Sequence, residues 1–424
     1  MNRLIFLLPG LLSAEVHQLT LRSAVDLALK QNPDVLLARL DEQRAALAIK
    51  VARDPFIPKL YVGSGAAYTT GFPMSVEGSA PSIVQARGVA SVYNRQQKFQ
   101  LERAREESKT ASIDAGSRRT EVVYRTVELY LDAERKGRLA EMAARAIPGA
   151  RKIEDIVRAR AEEGRELPVE KSRAALETAR LEHRKLEMDL DREQAEAALA
   201  VVLGLPAGDL ARPAEDQRAA PSVPMTVGEA VEAALRENRE IARIESAMRA
   251  KGWEAKAERA ARLPRLDLVA QYGLFAKFNN FEEYFNRFQR HNGQIGVSLQ
   301  IPVFAGAASQ AMAARADNEG ARLRLELDQL RGRIRTETQR RFLELKRAES
   351  ARQLTRQALE VAREDLGIQL ARFDEGRATV KQVEEARASE HLKWMEYYDA
   401  QAALDRARYA LLSQTGGLEA ALPR

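Results

Sequence analysis

Apolar residues recur along most of this chain at steps of three and four, and only in four short stretches does the spacing fall to two. Leu323, Leu327, Leu330 and Ile334 step by four, three and four, which places a stripe on one face of an α-helix. The helical pattern holds from about 95 to 162 and from about 306 to 374. At 1.5 Å per residue such a run reaches roughly 100 Å, too long for a helix of an ordinary globular domain. The chain turns near Gly164 and Gly376 and returns as helices of about 36 residues. One return passes through Leu176, Ala179, His183, Leu186 and Leu190, the other through Ala388, His391, Met395, Tyr398 and Ala402. These steps predict a coiled-coil seam in each, with His183 and His391 as packed core residues. The period-two stretches are different in kind. Leu60, Val62, Ala66 and Tyr68 alternate with Gly63, Gly65 and Ala67, and Leu266, Leu268, Ala270, Tyr272 and Leu274 alternate with Asp267, Gln271 and Gly273. A second strand follows each, at about 83–93 and about 294–304; in the latter, Ile295, Val297, Leu299, Ile301 and Val303 alternate with Gly296, Ser298, Gln300 and Pro302. Alternation over about ten positions fits a membrane-crossing β-strand, and each strand alone also fits a soluble hairpin.

The whole order of elements is written twice. Leu19-Thr20-Leu21, then Ala24, Val25, Ala28, Leu29 and Asn32, return as Met225-Thr226-Val227, then Ala230, Val231, Ala234, Leu235 and Asn238, an offset of about 206 residues. Pro58-Lys59-Leu60 returns as Pro264-Arg265-Leu266, Glu163-Gly164-Arg165 as Glu375-Gly376-Arg377, and Gly204 as Gly416. A period this long marks a duplicated structural unit rather than a solenoid. The predicted organisation is a leader over 1–14, a first repeat over 15–203, a linker over 204–224, a second repeat over 225–418 and a tail over 419–424. In the first repeat the strands lie at about 59–70 and 83–93 and the helical hairpin turns near 164; in the second they lie at about 265–275 and 294–304 and the hairpin turns near 376. Thr20 and Thr226 are expected N-caps, and Thr226 with Glu229 forms a capping box. Pro33 is expected to break the first helix of the first repeat, whereas its counterpart Arg239 is not. Second helices follow over roughly 34–53 and 239–262. Pro148-Gly149 has no counterpart in the second repeat, where Glu360 stands, and predicts a break or bend in one long helix only. The linker is rich in Pro, Gly and Ala and offers no chemistry. The aromatic run from Phe275 to Phe288 fits an interfacial girdle or an outer loop.

Composition and charge narrow the class. Charged residues make up 30% of the chain and the net charge is +6, but the two signs alternate and no basic stripe with interleaved aromatics stands out, which argues against nucleic acid as a partner. There is no cysteine, so disulfides, a zinc thiolate site and a cysteine-linked lipid anchor are excluded. Arg3, the apolar run Leu4 to Leu8 and the small residues before Glu15 read as a secretory signal peptide. No other stretch approaches the length of an apolar membrane helix, so any membrane passage must use strands. The sequence contains no Gly-rich phosphate loop, HExxH or nucleophile elbow, and its histidines (His17, His183, His291, His391) are scattered. No enzyme, cofactor or metal site is expected.

Four strands per chain cannot close a barrel, and open edges are not tolerated in lipid. Three chains would pool twelve strands, an even number in the allowed range. The chain resembles the TolC-type outer-membrane efflux family over nearly all of Leu19 to Leu418. The residues that carry the resemblance are the duplicated Leu-Thr-Leu opening running to Pro33, Pro58 and Leu60 before the first strand, the junction Ile301-Pro302-Val303-Phe304-Ala305-Gly306, and the glycine turns at 164 and 376. The resemblance implies a mainly α fold with a β-barrel portion. Each half would supply two transmembrane strands, and a homotrimer would form a twelve-stranded barrel in the outer membrane with an α-helical tunnel in the periplasm. It further implies a passive channel for drugs, ions or proteins, coupled to a periplasmic adaptor and an inner-membrane pump. Carried over position by position, Gly164, Arg165, Gly376 and Arg377 would form the tip where the adaptor docks, and Glu170, Gln382 and Glu385 would ring the tunnel mouth. Three copies of Glu385 would favour cations, although Gln382 departs from the family's acidic pattern. Tight turns and solvated helix faces account for the same residues without any such role. The rival to a channel is a soluble periplasmic coiled-coil adaptor or structural protein, which would share the heptads but not the paired strands.

Overall fold

The computed structural model describes residues 15–65, 82–215, 219–275, 289, 291–303 and 306–422. The leader over 1–14, the aromatic run beyond Phe275 and the junction residues Phe304 and Ala305 lie outside them. The elements in chain order are β1 (Val16–Leu19), α1 (Leu21–Gln31), α2 (Pro33–Arg53), β2 (Lys59–Gly65), β3 (Ser82–Tyr93), α3 (Arg95–Glu162), α4 (Pro168–Leu203), β4 (Leu210–Pro213), α5 (Val227–Glu237), α6 (Arg239–Ala260), β5 (Arg265–Phe275), β6 (His291–Gln300), α7 (Ala308–Asp374) and α8 (Val380–Thr415). The duplication is plain in this order: a short helix, a second helix, two strands, a helix of 67 or 68 residues and a return helix of 36 residues, twice. Among the described residues no helix is long and apolar enough to cross a membrane.

The chain divides into two compact units. The first comprises Met1–Arg39, Ala115–Arg239 and Leu330–Arg424. Its main core gathers Leu21, Val25, Val123, Val127, Tyr130, Leu199, Leu203 and Leu412, and a second cluster holds Ala230, Phe342, Leu345, Leu404 and Leu411. Thr20 caps α1 by accepting from Ser23 N, and Thr226 caps α5 in a full capping box with Glu229. The break after the first helix occurs in both repeats, at Asn32 and at Asn238, each in extended backbone. The break at Pro33 falls where expected, but the second repeat breaks with Arg239 in that place, so proline is not required for it. The short Asn amide competes with the helix for backbone partners: Asn32 Oδ1 accepts from Asp34 N at 2.9 Å, while its Nδ2 donates to Val202 O at 2.8 Å. The segment after Gly204 is more than a connector. Leu210–Pro213 pairs in parallel with Val16–Leu19, and the Tyr130 hydroxyl donates to Leu19 O. The partner strands are separated by most of a repeat, so no local pattern announces the pairing.

Helix α3 continues through Pro148 and Gly149, so of the break or bend expected there the break does not occur. Proline removes one N–H, leaving the Ala144 carbonyl without its helical partner, while Ile147 and Ala150 pack on Leu181 and hold the segment. The seam of α4 is not on the expected face. Ala174, Thr178 and Leu181 are buried, while Leu176, Leu186 and Leu190 are exposed. His183 is exposed beside Glu187, whereas His391 is buried as expected.

The second unit, Leu40–Asp114 and Glu240–Gln329, holds a four-stranded antiparallel sheet in the order β2-β3-β5-β6. Its helices bury alanines (Ala104, Ala250, Ala257, Ala313, Ala316), so backbones approach closely, and Phe99 stacks on Trp253. Strand β6 stops at Gln300, opposite Arg265, short of the expected 304. The ladder ends there because Pro264, which would face Ile301, and Pro302, one residue further on, have no N–H to donate.

Candidate functional site

Two places in the fold bear on function, one in each unit. The first is the sheet of the second unit. Its register lines up Leu60, Gly88, Ala270 and Ile295 across the four strands, and Val62, Ala86 and Tyr272 beside them. With Leu268, Val297 and Leu299 these make one face almost wholly apolar. Leu60 is 73% and Ile295 83% exposed, a cost that water would impose and lipid would not. The next residues along each strand line the opposite face: Lys59 and Tyr61, Gln85, Arg87 and Ser91, Arg265, Asp267 and Gln271, then Gln294, Ser298 and Gln300. Gln294 donates to Gln271, and Lys59 is paired with Asp54. This face is concave and borders a half-open hollow of about 960 Å³ lined mainly by polar groups. An apolar convex side, a polar concave side and two edge strands with no partner among the described residues describe a segment of a barrel wall.

The second place is the tip of the first unit, where α3 passes into α4 and α7 into α8. Gly164 and Gly376 sit at φ +73° and +74°, the left-handed region that glycine enters without penalty. Each turn closes in the same way: Arg165 N donates to Arg160 O at 2.8 Å, and Arg377 N to Arg372 O at 2.7 Å, the bond that satisfies a free helix-end carbonyl. The guanidinium groups of Arg165 and Arg377 lie outward, each 3.1 Å from the glutamate two residues earlier, Glu163 or Glu375. Beneath them Ile153, Val157, Ala174, Phe373, Val380 and Val383 form a small core, with the Arg160 guanidinium 4.8 Å above the Phe373 ring.

The residues expected at the mouth are placed less uniformly. Gln382 is committed to capping α8: its Oε1 accepts from Thr379 N at 2.8 Å, and its own N–H donates to the Thr379 hydroxyl. Glu385 is exposed, 3.7 Å from Lys381. Glu170 is mostly covered and bonded to Arg173. The structure brings Glu170 toward Glu384, a residue that sequence reasoning passed over. Burial pushes the Glu384 carboxyl above the ordinary carboxylate range, and Glu177 and Glu170 push it the same way, against Arg173 and Arg180. One turn on, Arg387 packs flat on the backbone of Gly149, where a Cβ would meet its guanidinium at 3.3 Å. Its own burial lowers its proton affinity, though a guanidinium remains charged. The signal for both was available: Val380, Glu384, Arg387 and His391 step by four, three and four along α8, so the charged pair lies on the inward face. Among the described residues no group of His, Asp or Glu is placed to hold a metal ion.

Residues 230–417 match the sequence profile of the family described as outer membrane efflux protein. The fold matches the structure of CusC, reported for the conformational changes that accompany its folding and transmembrane channel formation, with a TM-score of 0.75 at 15% identity, covering 95% of this chain and 93% of that one. It matches the outer membrane protein VceC from Vibrio cholerae with a TM-score of 0.73 at 16% identity, over 93% and 96% of the two chains. It also matches the open state of the Neisseria gonorrhoeae outer membrane channel MtrE, at 0.71 and 15%, over 94% and 89%. At these identities the likeness is one of fold. No curated protein matches the sequence significantly.

Proposed function

We propose that the chain is an outer membrane efflux protein, the family whose profile its residues 230–417 match, and that it is the passive exit duct of a tripartite export system, receiving cargo from a periplasmic adaptor and an inner-membrane pump. The family works in this way, as trimers. The observation that carries the reading is the sheet with an exposed apolar face, a polar concave face and two open edges. Such a sheet is unstable alone in water and incomplete alone in lipid. Three copies close it as twelve strands. No catalytic group is needed, because the pump supplies the energy. The outward Arg165 and Arg377 with their glutamates form the surface offered to the adaptor. Glu170, Glu384 and Glu385 lie behind it at the mouth.

The test is mass in detergent together with single-channel conductance in planar bilayers. A particle of three chains with discrete current steps is the expected result. A water-soluble species without conductance would refute it and favour a periplasmic coiled-coil protein. The chain has no cysteine, so paired cysteines introduced near Gly376 provide a second test. Oxidising them should block the opening of the mouth, and unchanged conductance would remove the tip from the gate.

A further inference from the structure

The polar face of the sheet carries charge that wetting does not require. Gln85, Gln271, Gln294, Gln300, Ser91 and Ser298 already make it hydrophilic. Among its ionised groups, Lys59 is neutralised by Asp54 at 2.5 Å. Arg265 donates through both Nε and Nη2 to the Oε1 of Gln300, an uncharged acceptor that orients the guanidinium without neutralising it. Asp267, two residues further along the same strand and face, offsets that charge in part. Arg87 is different. Its register neighbours are Tyr61 and Gln271, and Gln85 and Val89 flank it on its own strand. All are neutral, and no carboxylate pairs with it among the described residues. We propose that the barrel passage of this duct is electropositive and draws anionic solutes, organic carboxylates and sulfonates included, with Arg87 as the determining residue and Arg265 as its support.

This inference rests on the exit-duct reading, because it needs the polar face to be a water-filled wall. Threefold copies of an unpaired arginine in a passage walled by strands and lipid focus their field inward, where low-dielectric walls limit its spread. The acidic groups of the tip belong to the other unit and are largely compensated there by Arg173 and Lys381. Charge preference in the barrel is therefore set by the barrel's own lining.

Local potential can be read from cysteine chemistry, since the chain contains no native thiol. Gln271→Cys places a thiol directly across from Arg87. In the reconstituted full-length protein, its modification rate is measured with an anionic and a cationic methanethiosulfonate, each normalised to a free thiol. One unpaired charge about 6 Å away, in a water-like dielectric at low salt, changes the local concentration of each probe by about threefold, so the anion-to-cation ratio shifts by about tenfold. The expected result is a ratio well above one that falls about tenfold in Arg87→Gln, inverts in Arg87→Glu, persists in Arg87→Lys and shrinks toward one in 1 M salt. Equal rates in the parent protein, or a ratio indifferent to Arg87→Gln, overturn the inference and leave the duct intact. A membrane-bound Gln271→Cys that neither reagent reaches, while Ile295→Cys on the opposite face reacts, overturns the barrel reading itself and this inference with it.

Discussion

Replacing Gly204 by alanine tests how the first repeat joins its helices. Gly204 ends α4 at φ +74°, and a Cβ built on it would stand 2.9 Å from the Gln31 carbonyl oxygen and 3.1 Å from the carbonyl carbon. The left-handed conformation alone costs about 1–2 kcal/mol for an L side chain. The clash is with backbone at the end of α1, which cannot swing aside as a side chain would, and overpacking of this kind costs about 1–3 kcal/mol more. Any shift that relieves it also strains the bond from Asn32 Nδ2 to Val202 O, worth about 1 kcal/mol. The expected loss is about 2–5 kcal/mol. Gly164→Ala is the control, because Gly164 has the same φ but open space around the added carbon; only about 1–2 kcal/mol is expected there. Urea unfolding of the detergent-solubilised protein, followed by far-UV circular dichroism, reports both as midpoint shifts at a common slope. If Gly164→Ala moved the midpoint as far as Gly204→Ala, the close approach to Gln31 would carry no energetic weight, and the argument for a rigid joint would fail.

Three further outcomes follow from the geometry. Glu384 has a raised carboxyl pKa in the folded state, so its contribution to stability is present at low pH and is lost as pH rises through the folded value. Glu384→Gln should therefore increase amide protection at the tip at pH 8 and change little near pH 4, and a loss of protection at pH 8 would contradict the assignment. His391 is buried, with Nε2 lacking a partner, and burial first and Arg184 second lower its pKa. Its contribution is present above the ordinary histidine pKa of about 6.5 and falls as pH drops toward the folded value. Melting temperatures at pH 7.5 and 5.5 should converge in His391→Leu relative to the parent protein, and an unchanged pH difference would refute this. Ile295→Arg, on the apolar face, should cost about 2–4 kcal/mol if it lies near the bilayer midplane and should lower recovery of membrane-inserted protein. Gln294→Arg, one residue away on the polar face, should insert normally; equal defects would mean that the two faces are not differently solvated.

Much of this was legible because the patterns were long or doubled. The 67- and 68-residue helices, the capping threonines and the glycine turns each recur one repeat later, so a local signal that was weak once became strong twice. The failures have a common physical form. Leu176, Leu186 and Leu190 step correctly for a seam, but α4 is apolar on two faces, and periodicity alone does not say which one the chain buries for itself. Residues 210–213 pair with 16–19 only because folding brings the ends of a repeat together, which spacing cannot reveal. Gln382, expected at the mouth, also caps α8, a role set by Thr379 three residues earlier. Glu384 sits on the inward stripe of α8, and its partial burial, which lifts its carboxyl pKa, separates it from the exposed neighbour Glu385.

The second unit also explains why one copy is insufficient. Its strands run in the order β2-β3-β5-β6, and each carries a helix: α2 before β2, α3 after β3, α6 before β5 and α7 after β6. The inner helices are tied to a neighbour. Arg103 and Arg249 of α3 and α6 reach Glu254 and Glu106 across their contact, and Lys251 of α6 reaches Glu319 of α7. The outer helices keep apolar residues uncovered, Leu40, Leu47 and Val51 on α2 and Met312 and Leu325 on α7. The open strand edges lie at the same two ends, β2 with α2 and β6 with α7. A two-fold dimer would set like against like, β2 on β2, and leave both β6 edges bare. A head-to-tail contact sets β2 and α2 of one copy on β6 and α7 of the next, covers every open edge and, when the rotation closes, forms a ring. The duplicated sequence already contains that contact within itself, at the junction of β3 and β5 where the two repeats meet. The interface between copies is thus expected to repeat the interface between halves.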